Sequence, residues 1–549
     1  MLKNILFTVS VVLFLSGSAA AGPAAKTYNV LDFGATPDGK TLCTDAIQKA
    51  VDQCTQDGGG TVYLPAGTWP TGTIYLESHV TLSLDSGCVL LGSKEKKDYG
   101  RPRKLRGGTG FQSVEENMAR MAMPHGETFS YWAIVAGKNL ENIALRGRGT
   151  IDGQGANFKY KEGARPKNIY LEGCSDVLIE GVRMRSAGSW MQHYRRCDHL
   201  TIRDIAVFNH VSYNNDGLNI DSCRDVTITG CAVDSDDDAI VLKSLSLNPC
   251  ENVTISDCIV SSHCNAIKMG TESGGGFQNI TVTNCTICSP RYSQVIYGRQ
   301  RGFTGIALEI VDGGTLDRVA VSNLTIKGVT APIFMRLGNR ARLYEKDQPK
   351  PDVGRFQNVT ISNIVATGCS PIGCSITGLP EHAIENVTLS NIHLGFEGGG
   401  SKEDAAREVP EKPESYPEST MFGTLPAYGF YCRHVKGLGF QNLRFETSSA
   451  DYRHAVVFDD VSDAVLDSLD APFAAGAAGM VRCTNSQDVL IRNCRPPSGT
   501  ELFLDLGGPQ TRNILLLSND FSGVKEVSHP AADVPESALG LQANQLPAK

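Results

Sequence analysis

One short phrase keeps returning along this chain. It reads CSDVLIEGV from Cys174, CDHLTIRDI from Cys197, CRDVTITGC from Cys223 and CENVTISDC from Cys250. FQNITVTNC from Phe277, LDRVAVSNL from Leu316, FQNVTISNI from Phe356 and IENVTLSNI from Ile384 continue it. Weaker copies begin at Leu140, Val435 and Ser486. Apolar and polar residues alternate within each copy, as at Val226, Ile228 and Val253, Ile255, and period two marks a strand with one buried face. The Asn or Asp ahead of each strand suits a turn closed by its own side chain. A unit of about 25 residues cannot bury its apolar face alone, but stacked units can, each strand bonding the next at about 4.8 Å. The pattern predicts an all-β parallel β-helix of roughly a dozen coils. A β-propeller needs blades of about 40–50 residues, longer than the 23-, 26- and 27-residue spacings from Cys174 to Cys250.

The rest of the chain reads as what such a coil carries. Residues 1–22 have Lys3, an apolar run and Ala19-Ala20-Ala21, the pattern of an export signal, so a periplasmic or extracellular location is expected. No later apolar run reaches the about 20 residues a membrane span requires. Residues 23–524 form the expected single domain. Ala46, Ile47, Ala50, Val51 and Cys54 make a helical apolar stripe ended by Gly58-Gly59-Gly60, a short helix suited to plugging the first coil. Segments 94–129 and 398–420 lack the repeat and read as long loops of the kind that often carry function. Residues 525–549 read as a tail. Of the 17 cysteines, Cys174, Cys197, Cys223 and Cys250 each open a repeat and read as stacked small apolar side chains, with Cys285–Cys288 and Cys369–Cys374 left open as disulfides. Cys223 and Cys231 flank an extended stretch, more than about 20 Å apart, and cannot bond each other. No paired CxxC or nearby His set marks a metal site. Six Asn-x-Ser/Thr sites, at Asn252, Asn279, Asn284, Asn323, Asn358 and Asn386, mostly fall at repeat turns. They read as structural asparagines rather than glycan acceptors. The formal charge is −8, from 51 Lys+Arg and 59 Asp+Glu. With no basic run, that balance argues against a nucleic-acid partner.

Aligning the strands ahead of each repeat brings chemistry together. Asp216-Gly217-Leu218-Asn219-Ile220-Asp221 lies over Asp238-Ala239-Ile240-Val241-Leu242-Lys243, then over Asn265-Ala266-Ile267-Lys268-Met269-Gly270. Trp190 occupies the same column one coil earlier. Asp216, Asp237 and Asp238 therefore share one outer face on two adjacent coils. Carboxylates this close cannot all ionise freely, and glycoside hydrolysis needs such a set: one acid for the leaving oxygen and carboxylates to activate water. A solvated acidic turn, or a Ca2+ site in Asp234-Ser235-Asp236-Asp237-Asp238, fits the same spacing.

The chain resembles glycoside hydrolase family 28, the polygalacturonases and related pectin hydrolases, from about Val30 to about Val365. Asp32-Phe33-Gly34-Ala35, Gly58 to Gly67 and Gly149 to Gly155 carry the weaker likeness. Asn214-Asn215-Asp216, where the family has Asn-Thr-Asp, and Asp237 to Ser244, its paired-Asp motif, carry the sharper one. The resemblance implies a right-handed parallel β-helix and an inverting hydrolase without cofactor. It implies Asp237 as general acid, with Asp216 and Asp238 deprotonating water.

Two family motifs are altered. Gly-His-Gly becomes Cys264-Asn265-Ala266, with His263 one residue before it as a possible stand-in, and Arg-Ile-Lys becomes Ala307-Leu308-Glu309. In the family those two cations bind the sugar carboxylate, and each opposed charge at 4 Å is worth about 4 kcal/mol before solvation. Lys268, one coil from Ala307, is a candidate to take over the carboxylate. Glu309 is expected to form a surface salt bridge with Lys243 or Arg336, or to contact hydroxyls of a neutral sugar. Trp190, His193, Tyr297, Arg299 and Arg301 are further candidates for the groove. The expected partner is thus a pectic polysaccharide or oligosaccharide. A glycosidase for a neutral sugar, a β-helix lyase and a non-catalytic carbohydrate-binding protein are the alternatives.

Overall fold

The computed structural model describes residues 26–100, 132–159, 165–345 and 347–547. Its strands pair in parallel and in register from coil to coil. The wall built by the repeats runs unbroken from Gly60–Leu64 through Arg224–Thr229 to Leu539–Gln542. The solenoid is therefore longer than the dozen coils expected. Part of the excess is at the end: residues 525–549, read as a tail, supply Glu526–Pro530 and Leu539–Gln542, each paired to the preceding coil. Leu539 and Leu541 align with Ile514 and Leu516, so the alternation persists where the signature phrase does not.

Inside, one continuous apolar core runs the length of the coil. Val177, Leu200, Val226, Val253, Ile280 and Val319 stack along it, all but excluded from solvent. The cysteines are all free, and all but Cys288 are buried. Cys197, Cys223 and Cys250 continue into the Phe277, Leu316 and Phe356 column, so the small-apolar reading holds and neither disulfide forms. Helix α1 (Thr44–Gln56) buries Ile47, Ala50, Val51 and Cys54 against the first coils. Its chain reverses through Gly58 and Gly59, at φ 95° and 106°, where an L side chain is strained.

The turn asparagines form ladders. Asn252, Asn279, Asn358 and Asn386 hold left-handed backbone, tolerated by Asn because its short amide bonds locally. Asn279 donates its amide to Asn252 at 2.9 Å and Asn386 to Asn358 at 3.1 Å. A second ladder runs Asn284, Asn323, Asn363, Asn391, Asn442.

The wall of interest consists of β1 (Lys167–Glu172), β2 (Gln192–Arg195), β3 (Leu218–Asp221), β4 (Ile240–Ser244), β5 (Asn265–Ser273), β6 (Thr304–Ile310) and β7 (Ala331–Leu337). Segment 398–420 is no free loop. It opens on a short helix (Lys402–Ala405) with a Ser401/Asp404 capping box. Arg336 on β7 donates to the Glu411 and Lys412 carbonyls, and Ser419 to the Phe303 carbonyl, laying the segment against this wall. Most of the 94–129 loop, and the export signal of 1–22, lie outside the described residues. Among those described, no helix is long and apolar enough to cross a membrane.

Candidate active site

The aligned columns are real. Leu218, Ile240 and Ile267 stack inward, and Asn219, Val241, Lys268 and Ala307 follow in register. The turn into β3 is bonded to the turn into β4 through Gly217 N–H to the Asp238 carbonyl at 2.9 Å. The turn into β4 is bonded onward through Ala239 N–H to the Asn265 carbonyl. Asn215, fully buried, accepts from Asp237 N–H at 3.2 Å, fixing the paired aspartates relative to Asp216.

Asp216 and Asp238 are 2% and 3% exposed, and Asp237 is 9% exposed, so the proposed acid is the most open of the three. Burial and then the neighbouring Asp238 push Asp237 up to about 7, against Lys243 and Lys268. Burial, then Asp237, raise Asp216 as well, with Lys243 opposing at 3.6 Å. Asp216 therefore does not ionise independently of Asp237.

Two lysines hold this set in place. Lys243 lies 3.0 Å from Glu272 and 4.9 Å from the Trp190 ring centroid. Burial works against the charge on Glu272, but Lys243 and Arg340 outweigh it and keep its pKa below the ordinary range. Lys268 lies 3.2 Å from Asp238 and 3.7 Å from Glu309. Asn265 donates its side-chain amide to Asp238 Oδ1 at 2.8 Å. The residue in place of the family histidine thus orients Asp238.

Several expectations need correction. Glu309 is fully buried, not a surface ion-pair partner. It pairs with Lys268 and accepts from Thr271 Oγ1 at 3.1 Å, and burial pushes it up to about 7. Arg336 is committed to loop carbonyls, and Lys243 to Asp216 and Glu272. His263 does not replace the family histidine: it is fully buried, with Nδ1 on Asp236 at 2.8 Å and Nε2 on the Tyr292 carbonyl at 3.1 Å. His193 is equally buried and bonds Asp221 at 3.1 Å. His193 follows the Asn219 column and supports the Trp190 ring edge-on at 5.0 Å, while His263 ties Asp236 to the Tyr292 loop; both are covered. Arg301 pairs with Glu397, and exposed Arg299 lies over Phe303 at 5.5 Å; neither has a contact with the aspartates among the described residues. Tyr297 is exposed beside Tyr213. Trp190, partly exposed, does reach the site through Lys243.

The acidic run separates into distinct tasks. Asp236 accepts from Ile296 N–H, Tyr297 N–H and His263, clasping the 292–297 loop, and Asp234 bonds His210. His210, Asp236 and His263 have ligand atoms within 4.8 Å of one another, but the Asp236 oxygens already serve the clasp. Sequence reasoning missed two contributors from the 398–420 segment. The Tyr416 hydroxyl is 3.4 Å from the Lys268 ammonium, and burial pushes neighbouring Glu418 up to about 8, against Lys268. Nothing in a repeat marks residues that arrive from about 150 positions away.

Residues 103–415, more than half of the chain, match the family model described as glycosyl hydrolases family 28. The chain belongs to that family. Residues 27–93 match a second model, rhamnogalacturonase A/epimerase, pectate lyase-like. A probable polygalacturonase of Vitis vinifera is 32% identical over 243 residues, 40% of this chain and 45% of that protein. An exo-poly-alpha-D-galacturonosidase of Dickeya chrysanthemi is 33% identical over 137 residues, 24% of this chain and 20% of that one. The matches thus span less than half of either relative. Among solved structures, an exopolygalacturonase from Thermotoga maritima superposes with TM-score 0.57 at 20% identity, over 77% of this chain and 92% of that one. That likeness identifies the fold as the right-handed parallel β-helix.

Proposed function

We propose that this family 28 chain is an exported glycosidase that cleaves O-glycosidic bonds of pectic, galacturonate-containing glycans with inversion. Asp237 donates a proton to the leaving oxygen. Asp216 and Asp238 orient a water and take its proton as the water attacks the anomeric carbon on the opposite face. The observation that carries the reading is the convergence of three aspartates on two rungs, the most open of them raised to about 7. A carboxyl that keeps its proton near neutrality is what a general acid requires. Asn265 orients Asp238, the two lysines balance the buried carboxylates, and Trp190 offers a face on which a sugar stacks. The export reading rests on the sequence pattern of residues 1–22.

A second reading, a neutral sugar in the same site, is favoured by one observation. Lys268, the nearest cation to the altered motif, is already engaged by Asp238 and Glu309. Product analysis on polygalacturonate and on neutral pectic glycans tests both readings, with Asp237→Asn as control. Release of saturated galacturonate sugars, lost in Asp237→Asn, supports the first reading. Turnover of neutral glycans alone supports the second, and unsaturated products contradict both.

A further inference from the structure

Three cations around the aspartates are matched by carboxylates. Lys243 serves Asp216 and Glu272, Lys268 serves Asp238 and Glu309, and Arg340 serves Glu272 and Asp312. Lys167, 5% exposed, opens β1. It lies two residues before Ile169, which pairs with Gln192, and Gln192 pairs with Leu218. Lys167 is therefore level with Trp190, and Trp190 with Asp216, one rung apart each at about 4.8 Å. Among the described residues its ammonium has no carboxylate, carbonyl or hydroxyl partner. It meets the rings of Trp190 and Tyr170, with centroids at 5.5 and 5.7 Å. Burial, then Arg165, push it down to about 8, while Asp216 pulls the other way. A buried ammonium without an acceptor is costly, and aromatic faces repay only part of that cost. An arriving anion removes the penalty.

We propose that Lys167 and Trp190 form the recognition site for the carboxylate of a uronic-acid residue beside the scissile bond. Positive charge lost at Ala307 and Glu309 is supplied from the opposite side of the aspartates, the ring stacking on the sugar while the ammonium takes its carboxylate. This rests on the glycosidase reading above and specifies an acidic substrate for it.

The test compares kcat/KM on a galacturonate oligosaccharide with that on its methyl ester, which has the same shape without the charge. Wild type should prefer the acid. Lys167→Met should lower that preference about 30-fold or more, mainly through KM, and Lys167→Arg should keep most of it. Lys167→Gln, checked for an unchanged melting temperature, guards against misfolding. An acid-to-ester ratio unchanged in Lys167→Met, or a wild type that prefers the ester, overturns the proposal. A second arm titrates a galacturonate trisaccharide into Asp237→Asn with and without Lys167→Met. If wild type releases no sugar, the glycosidase reading fails while this arm still decides on Lys167. Binding lost in the double variant supports the site, whereas equal binding, or none in either, overturns it.

Discussion

Asp237 and Asp238 adjoin in sequence, yet their exposure and neighbours suit them to the different roles proposed for them. Asp238 is gripped by Lys268 and the Asn265 amide. Asp237 is more open and is raised to about 7. The acid must hold its proton, so activity should fall as pH rises through about 7, read as the upper limb of kcat against pH. Asp237→Asn should lower kcat by about 10²–10⁴-fold without changing the melting temperature by more than a few degrees. Asn265→Ala removes a hydrogen bond to a buried carboxylate and should reduce kcat about tenfold, with Asn265→Asp worse because it sets a fourth carboxyl against Asp238. The aspartate column was legible because repeat register alone places Asp216 over Asp238. The roles of His193 and His263 were not legible, since alternation says which way a strand residue points but not what covers a turn. Glu309 was misread as a surface group for the same reason: the segment that buries its surroundings, with Tyr416 and Glu418, arrives from outside the repeat.

At the level of strands and turns, stability comes from stacking like on like. Asn363 holds left-handed backbone at φ 54°, donates to Asn323 and accepts from Asn391, both at 3.0 Å. Asn363→Ala loses both bonds and adds the cost of that backbone, together about 1–3 kcal/mol, visible as a lower denaturant midpoint. The partner turns, left-handed themselves, should not compensate. These turns were readable as turns from the sequence. That they join into ladders required the register, which the repeat spacing implies only where spacing is even.

Across the whole molecule, the buried carboxylates give stability a definite sign with pH. Asp237 and Glu309 near 7 and Glu418 near 8 keep protons that the unfolded chain has already lost above about pH 5. Between about pH 6.5 and 8 the folded state therefore binds more protons, and stability falls as pH rises. His193 and His454, held down to about 4 and about 3 by burial, work in the other direction below about pH 6.5, and Lys167, pushed down to about 8, does so toward the top of the window, where it is outnumbered by the three carboxyls. The melting temperature should accordingly drop from pH 6.5 to 8, and a rise there would contradict the charge assignment. The coil itself followed from periodicity. Its full length did not, because Glu526–Pro530 and Leu539–Gln542 keep the alternation without the signature residues. The most direct test of the whole account is proton NMR of the first sugar released by wild type from a galacturonate oligosaccharide. The expected product is a saturated sugar whose anomeric configuration is opposite to that of the bond cleaved. A retained anomer, or an unsaturated product, would contradict an acid and a water-activating pair acting from the Asp216, Asp237 and Asp238 cluster.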